Sequence, residues 1–358
     1  MISTTPDNLS MGTVGPLLEN TPVKASAPCR IDFGGTLDIS TFHYPLRIHR
    51  PATVNIALDQ RTTVSLRPAT DDRIWISSHG IAEAAFAPQA APYDHPLGLM
   101  FAVADYFGAK GVHIGIHSTS PPQSGLGGSS VAAVALIAAF SKLGVTMGRS
   151  PIPRTQMVLL AHAIEQGVAG VPCGIQDQLA AAFGGVNCWG WPATADYPAF
   201  SRRPLADPSA CAGLDRHLLV AYLGVTHVSK DVNQTWVRRF IGGKDRAVWQ
   251  RIIELTHQFA DALEAVDMRR AAAAMNEETA LRKAMTPQVL ESMGERLAAA
   301  AMDRQCGARF TGAGGGGCLW AMGEADAIAA LKPVWETLLA ERPTAGLIDC
   351  RVDSQGVV

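Results

Sequence analysis

From residue 23 to residue 76 the chain alternates apolar with polar positions and is enriched in β-branched residues, which predicts strands over 23–33, 53–58, 62–66 and 73–76. The period then lengthens. Residues 95–107 read as a helix, 112–117 as a further strand, and 131–143 and 154–166 as helices. Pro151 and Pro153 introduce the last of these, which carries apolar residues at Val158, Leu159 and Ala163. A Pro- and Ala-rich stretch over 191–214 predicts a surface connection leading to a strand at 218–223. Helical spacing returns at 247–266, 268–285 and 287–300, and again at 325–339. Strands first, then a mixture of helices and strands, predict an α+β protein rather than a doubly wound parallel sheet. Residues 1–22, rich in Ser, Thr, Asn, Pro and Gly without periodicity, are expected to form a mobile extension. The expected domains are 23–200 and 201–358.

One stretch departs from both periods. Pro121-Pro-Gln-Ser-Gly-Leu-Gly-Gly-Ser-Ser-Val-Ala-Ala133 runs directly into the apolar Val134-Ala-Leu-Ile-Ala-Ala-Phe140. Gly125, Gly127 and Gly128 lack the Cβ atoms that would keep backbone N–H groups from converging, and Ser129 or Ser130 is placed to cap the following helix. Converging N–H donors at the positive end of a helix dipole suit a phosphate. The P-loop pattern is excluded because no Lys follows the last glycine, and the dinucleotide fingerprint because Ser130 stands where its third glycine belongs.

Composition narrows the class. The chain has 358 residues, 47% of them hydrophobic, enough to bury a large core, and its 30 Lys+Arg against 32 Asp+Glu leave no electrostatic footprint for nucleic acid. No charged and apolar leader opens it and no apolar run of bilayer-spanning length stands out, so a cytoplasmic location is expected, with no membrane partner. Seven widely spaced cysteines include no C-x-x-C pair and read as reduced, mostly buried residues.

Two further segments complete a set. Ala27-Pro-Cys-Arg-Ile-Asp-Phe-Gly-Gly-Thr-Leu-Asp38 resembles motif 1 of the GHMP kinases, the superfamily of galactokinase, homoserine kinase, mevalonate kinase and phosphomevalonate kinase. The glycine-rich loop resembles their motif 2, and Gly307-Ala-Arg-Phe-Thr-Gly-Ala-Gly-Gly-Gly-Gly-Cys318 their motif 3, in the same order. The resemblance covers about residues 23–352. It implies a two-domain fold in which an N-terminal domain carries the phosphate loop, a C-terminal α/β sandwich-like domain follows, and the active site lies between them. It also implies a kinase using ATP and Mg²⁺.

Residue by residue, the resemblance places ATP against Pro122, Ser124, Gly125, Leu126, Gly127, Gly128, Ser129 and Ser130, with Gly314 and Gly315 of motif 3. Ser129 and Glu165, on the helix after the loop, become the metal ligands. Read on its own, Glu165 is a carboxylate near a helix C-terminus, where the dipole disfavours it. Val171-Pro-Cys-Gly-Ile-Gln-Asp-Gln-Leu-Ala-Ala-Ala-Phe-Gly-Gly185 resembles the segment that carries the catalytic Asp in galactokinases and in heptose 7-phosphate kinases. Asp177 is then the base or aligning group, with Arg30 beside it.

The acceptor side is expected to use Asp38, Gly35, Thr36, Gln176, Thr311 and Gly312, with His227 and Lys230 as the basic pair for an acceptor phosphate. Gly128 replaces the first serine of motif 2, and Thr36-Leu37-Asp38 departs from the usual motif 1 ending. The implied acceptor is a sugar or sugar phosphate, of the heptose 7-phosphate kinase type. A free hexose, a mevalonate-type alcohol, or a catalytically silent sensor on the same fold are the alternatives, and the oligomeric state is left open, a homodimer included.

Overall fold

The computed structural model of the chain describes residues 10–170, 172–193, 200–226 and 229–358. Two antiparallel-dominated sheets organise them. The larger has seven strands and is built around Ala52–Pro68, a strand of 17 residues that joins the two shorter strands expected there. Val23–Phe33 pairs along most of its length, shifting register between Pro28 and Cys29, while Val112–Ser118 takes its C-terminal half and Val186–Gly190 its N-terminal end. Ile74–Ser78 and Ile81–Phe86 extend one edge, and Ser201–Pro204 the other. The smaller sheet is antiparallel, in the order Gly307–Phe310, Cys318–Met322, Leu218–Tyr222, Gly346–Ile348.

Helix periodicity was legible over the long helices of the C-terminal half. Met268–Met285 and Ala325–Leu339 have the expected limits, and Arg246–Glu264 nearly so. The helix expected at 287–300 is Ser292–Met302, because Pro287–Val289 forms a 3₁₀ turn and Leu290 and Glu291 are extended. Ser229–Ile241 is a helix the spacing did not suggest. Within the proline-rich connection, Asp207 caps the short helix Pro208–Leu214 by accepting from the N–H groups of Ser209 and Ala210.

The extension is partly ordered. From residue 10 it packs: Met11, Val14 and Leu18 are buried, Gly15–Asn20 is helical, and Gly12 pairs with Ala109. Burial of three apolar side chains outweighs the lack of a periodic pattern.

The helix after the glycine-rich loop, Gly128–Thr146, has no polar face and lies inside the core. Among the described residues it is long and apolar enough to cross a membrane, yet 78% of it is buried within the fold. Residues 349–358 return to the larger sheet: Arg61 donates to the carbonyl of Gly356 and pairs with Asp353, and Ser26 and Val358 exchange backbone hydrogen bonds of 2.9 and 3.0 Å.

Candidate active site

A cavity of about 1210 Å³ opens over the glycine-rich loop, bordered by the larger sheet, by Gly312 and Ala313 in the loop between two strands of the smaller one, and by the helix Ser229–Ile241. Pro122, Ser124, Gly125, Gly127, Gly128, Ser129 and Ser130 lie in its wall, whereas Leu126 turns its side chain into the core. The loop is fixed from two directions. Arg30 N–H donates to the carbonyl of Leu126 at 3.2 Å, and Cys318 N–H to that of Ser124 at 2.8 Å.

The helix cap differs from the expectation. Gly127, in the left-handed region at φ 81°, occupies the N-cap of Gly128–Thr146, and no side chain caps it. Ser130 instead donates to Glu165. The first N–H groups of this helix therefore have no acceptor within it and face the cavity rim. A side chain at Gly127 would also meet Asp177, since a Cβ there would lie 3.1 Å from its carboxylate. Glycine at this position thus serves both backbone geometry and the approach of Asp177.

Asp177 stands in the first turn of Gln176–Phe183, where a carboxylate suits the helix dipole. Its Oδ1 accepts from Arg30 Nε at 2.7 Å and lies 2.6 Å from Nη2. Arg30 Nη1 donates to the carbonyl of Gly125 at 2.7 Å. Burial works against the guanidinium charge, but Asp177 and Asp32 more than offset it and raise the Arg30 pKa.

Glu165 is drawn into the same wall. Its Oε2 accepts from Ser130 Oγ and from Gln178 Nε2, each at 2.7 Å, so it does not stand free in solvent. Burial pushes its carboxyl up to about 7, against the lowering effect of the Ser130 hydroxyl, and the charge of Asp177 adds to the rise. Ser129 is exposed on the cavity rim.

Asp38 lies deeper. Its Oδ2 accepts from the N–H of Gln176 at 3.0 Å, and its Oδ1 has no partner among the described residues. Gly174 permits this approach, since a Cβ there would fall 1.8 Å from Oδ2. Burial pushes the carboxyl up to about 6 from 3.8, the Gln176 N–H opposing and Asp177 reinforcing the rise. The folded state therefore binds more proton than the unfolded chain between these values, and the stability contributed by Asp38 falls as pH rises through that window. Asp38→Asn is expected to be the more stable protein above pH 6, by on the order of 2–3 kcal/mol. Unfolding midpoints near pH 4.5 and 7.5 test this. A variant that melts below the wild type at the higher pH would show that the Asp38 charge is stabilised in the fold.

Beneath these groups runs a network that sequence reading missed. Glu278, Arg282 and Arg309 have side chains with 0% exposure. Arg309 Nε donates to Glu278 Oε2 at 2.8 Å, and its Nη1 to the backbone carbonyl and Oδ2 of Asp32 at 3.0 and 3.1 Å. Asp32 Oδ1 in turn accepts the N–H of Gly312 at 2.7 Å. Arg282 donates from Nε to Glu278 Oε1 at 2.9 Å and from Nη2 to the carbonyl of Gly35 at 2.6 Å, lying 4.7 and 4.6 Å from the ring centres of Trp236 and Trp249. It also reaches Thr36 Oγ1 at 3.4 Å, which helps hold Thr36 at φ 80°. Burial alone would raise the Glu278 pKa, but Arg309 and Arg282 lower it. Glu278 and Arg282 at helical i,i+4 spacing, and Arg309 and Asp32 inside apolar strands, were the available signals.

The other expected residues divide. Thr36, Gln176 and Gly312 line the cavity. Thr311 is fully buried, its hydroxyl 3.2 Å from the carbonyls of both Ser124 and Cys318, so it staples the two glycine-rich loops together and does not reach the cavity. Gly314 and Gly315 pack against Val289, away from the cavity wall, and Gly35 faces Asp32 and Gln176. His227 and the side chain of Lys230 lie outside the described residues.

Comparison with known proteins bears on the fold that carries this cavity. Residues 95–185 match the family model of the GHMP kinases N terminal domain. A curated D-glycero-alpha-D-manno-heptose 7-phosphate kinase of Campylobacter jejuni is 26% identical over 225 residues, a match spanning 60% of this chain and 62% of that protein. The crystal structure of a D-glycero-D-manno-heptose 1-phosphate kinase from Bacteroides thetaiotaomicron superposes with a TM-score of 0.70 at 18% identity, covering 94% of this chain and 97% of that one. Lactococcus lactis galactokinase gives a TM-score of 0.70 at 17% identity over 96% and 99% of the two chains. Residues 95–185 thus resemble the GHMP kinases N terminal domain in sequence, and the whole chain shares the fold of these sugar kinases.

Proposed function

We propose that this protein transfers the γ-phosphoryl group of ATP to a hydroxyl of a phosphorylated sugar, with a heptose phosphate as the acceptor. The observation that carries the reading is the meeting of Asp177, paired with Arg30, with the uncapped helix start at Gly127–Ser130 and the unpartnered Asp38 in one cavity. The heptose 7-phosphate kinase of Campylobacter jejuni, to which the chain is similar, supports the choice of acceptor.

In this reading the uncapped N–H groups and the loop backbone receive the nucleotide phosphates. The acceptor hydroxyl gives its proton to Asp177 as its oxygen bonds to the γ-phosphorus, and ADP leaves with the electrons of the broken P–O bond. Arg30 holds Asp177 ionised before the step and offsets charge that develops beside it. Asp38 accepts a hydrogen bond from another acceptor hydroxyl and fixes which one is presented.

Magnesium fits Glu165 together with Ser129 or Ser130: both hydrogen bonds to Glu165 land on Oε2, and a hydroxyl stands at the helix start beside it. When bound, the ion neutralises charge on the phosphates. Glu165→Gln is expected to raise the magnesium concentration needed for half-maximal rate by about 10-fold, since an anionic ligand becomes neutral. Overlapping magnesium titrations would leave Glu165 a hydrogen-bonding residue only.

The direct test is ADP release with D-glycero-D-manno-heptose 7-phosphate, mannose 6-phosphate, mannose, galactose and mevalonate. Preferential turnover of a phosphorylated sugar is expected. Absence of ADP release with every acceptor would overturn the reading.

A further inference from the structure

Ser229–Ile241 is an element of the cavity wall to which the proposed chemistry assigns no task. Its orientation is fixed by Trp236 and Phe240, both buried: Trp236 Nε1 donates to Thr286 Oγ1 at 2.8 Å, and the Phe240 ring lies 4.8 Å from that of Phe42. Anchoring that stripe turns the neighbouring one, Asn233, Gln234, Val237 and Arg238, into the cavity wall, at the i, i+1, i+4, i+5 spacing of a single helix face. The contact with Phe42 sets this helix against Ser40–His43, two residues beyond Asp38. The stripe therefore stands at the Asp38 end of the cavity.

Three basic side chains among the described residues line the cavity: Arg30, His79 and Arg238. Arg30 is committed to Asp177, and His79 sits on the hairpin between Ile74–Ser78 and Ile81–Phe86, at the far edge of the larger sheet. Arg238 forms no ion pair among the described residues. It reaches only its own helix, at 3.3 Å to the carbonyl of Gln234 and 3.5 Å to Thr235 Oγ1, distances too long for strong bonds. It is thus an exposed guanidinium with its donor fork unspent. Asn233 Oδ1, one turn earlier, is shielded from water and has no hydrogen-bond partner among the described residues, as is true of Asp38 Oδ1. Two unsatisfied acceptors at one end of a cavity call for O–H donors, and the fork beside them for an oxyanion.

We propose that Arg238 binds the phosphate already carried by the acceptor, while Asn233 and Asp38 accept hydrogen bonds from its hydroxyls. The helix Ser229–Ile241 is then what distinguishes a phosphorylated from an unphosphorylated sugar. This assignment rests on the kinase reading given above.

The test compares wild type, Arg238→Gln and Arg238→Lys in ADP release with D-glycero-D-manno-heptose 7-phosphate, mannose 6-phosphate and mannose. Arg238→Gln is expected to raise KM for the phosphorylated acceptor by about 10-fold or more and to lower the preference for phosphorylated over free sugar by the same factor, with KM for ATP within about two-fold. Arg238→Lys should recover part of the loss, which a merely structural arginine on an exposed helix face would not require. Equal KM values for the phosphorylated acceptor in Arg238→Gln and wild type would overturn the assignment and leave the kinase reading standing. So would wild-type turnover of mannose with none of either phosphate ester. No ADP release by wild type with any of the sugars would overturn both.

Discussion

Asp177→Asn is expected to lower kcat by about 10²-fold or more while KM for ATP moves by less than about two-fold. The substitution keeps the shape of the side chain and one oxygen for Arg30, which now donates to Asp177 Oδ1 at 2.7 Å. What it removes is the ability to take up the acceptor proton. Nucleotide binding, resting on loop backbone and the uncapped helix start, should be untouched, so single-turnover phosphorylation of the sugar reads the loss directly. Turnover equal to wild type would take Asp177 out of the proton path and leave it as the counterion of a buried arginine.

Glu278→Gln is expected to cost about 3–5 kcal/mol of stability, because it leaves the buried Arg282 facing a neutral amide and Arg309 with Asp32 as its one paired carboxylate. Urea unfolding monitored by tryptophan fluorescence measures it, with Trp236 and Trp249 flanking Arg282 as local reporters. Removing all three charges together, as Glu278→Leu with Arg282→Met and Arg309→Met, should recover part of that loss, since the two buried guanidiniums are gone and Asp32 keeps Arg30, 3.6 Å away, as a counterion. The triple variant should still phosphorylate poorly, because Asp32 would lose the partner that aligns it with the N–H of Gly312. A midpoint for Glu278→Gln that matches wild type would mean the two guanidiniums find other acceptors.

What could be read beforehand follows from how local each signal is. The glycine-rich loop, the helix Met268–Met285 and the pairing of Arg30 with Asp177 are written in short patterns, by period or by motif. The strands Gly307–Phe310 and Cys318–Met322 were hidden because glycines flank them and their pairing partners are distant. Ser130 was offered as a cap, and the structure turns it to Glu165, 35 residues away, a contact no local pattern encodes. Thr311 looked like a side chain for ligand and is a staple between loops, since only the approach of Ser124 shows where its hydroxyl is spent. The Asp32–Arg309–Glu278–Arg282 chain was invisible for the same reason: each charge is explicable only by the others.

The return of residues 349–358 to the larger sheet bears on how the chain reaches its fold. Arg61 holds Asp353 and the carbonyl of Gly356 across separations of 292 and 295 residues, Val357 N–H donates to the carbonyl of Ala182 on the helix that carries Asp177, and Gly185 N–H, just beyond that helix, donates to the carbonyl of Asp353. The larger sheet is thus among the first regions synthesised and among the last completed. Until these residues arrive, the middle of Ala52–Pro68, where Leu58 bridges to Val352, and the carbonyl of Ala182 on the Asp177 helix stay open to other partners. Contacts of such sequence separation slow folding and lengthen the time during which unpaired strand edges are exposed, so assembly of the candidate site is tied to the end of a slow, aggregation-sensitive search.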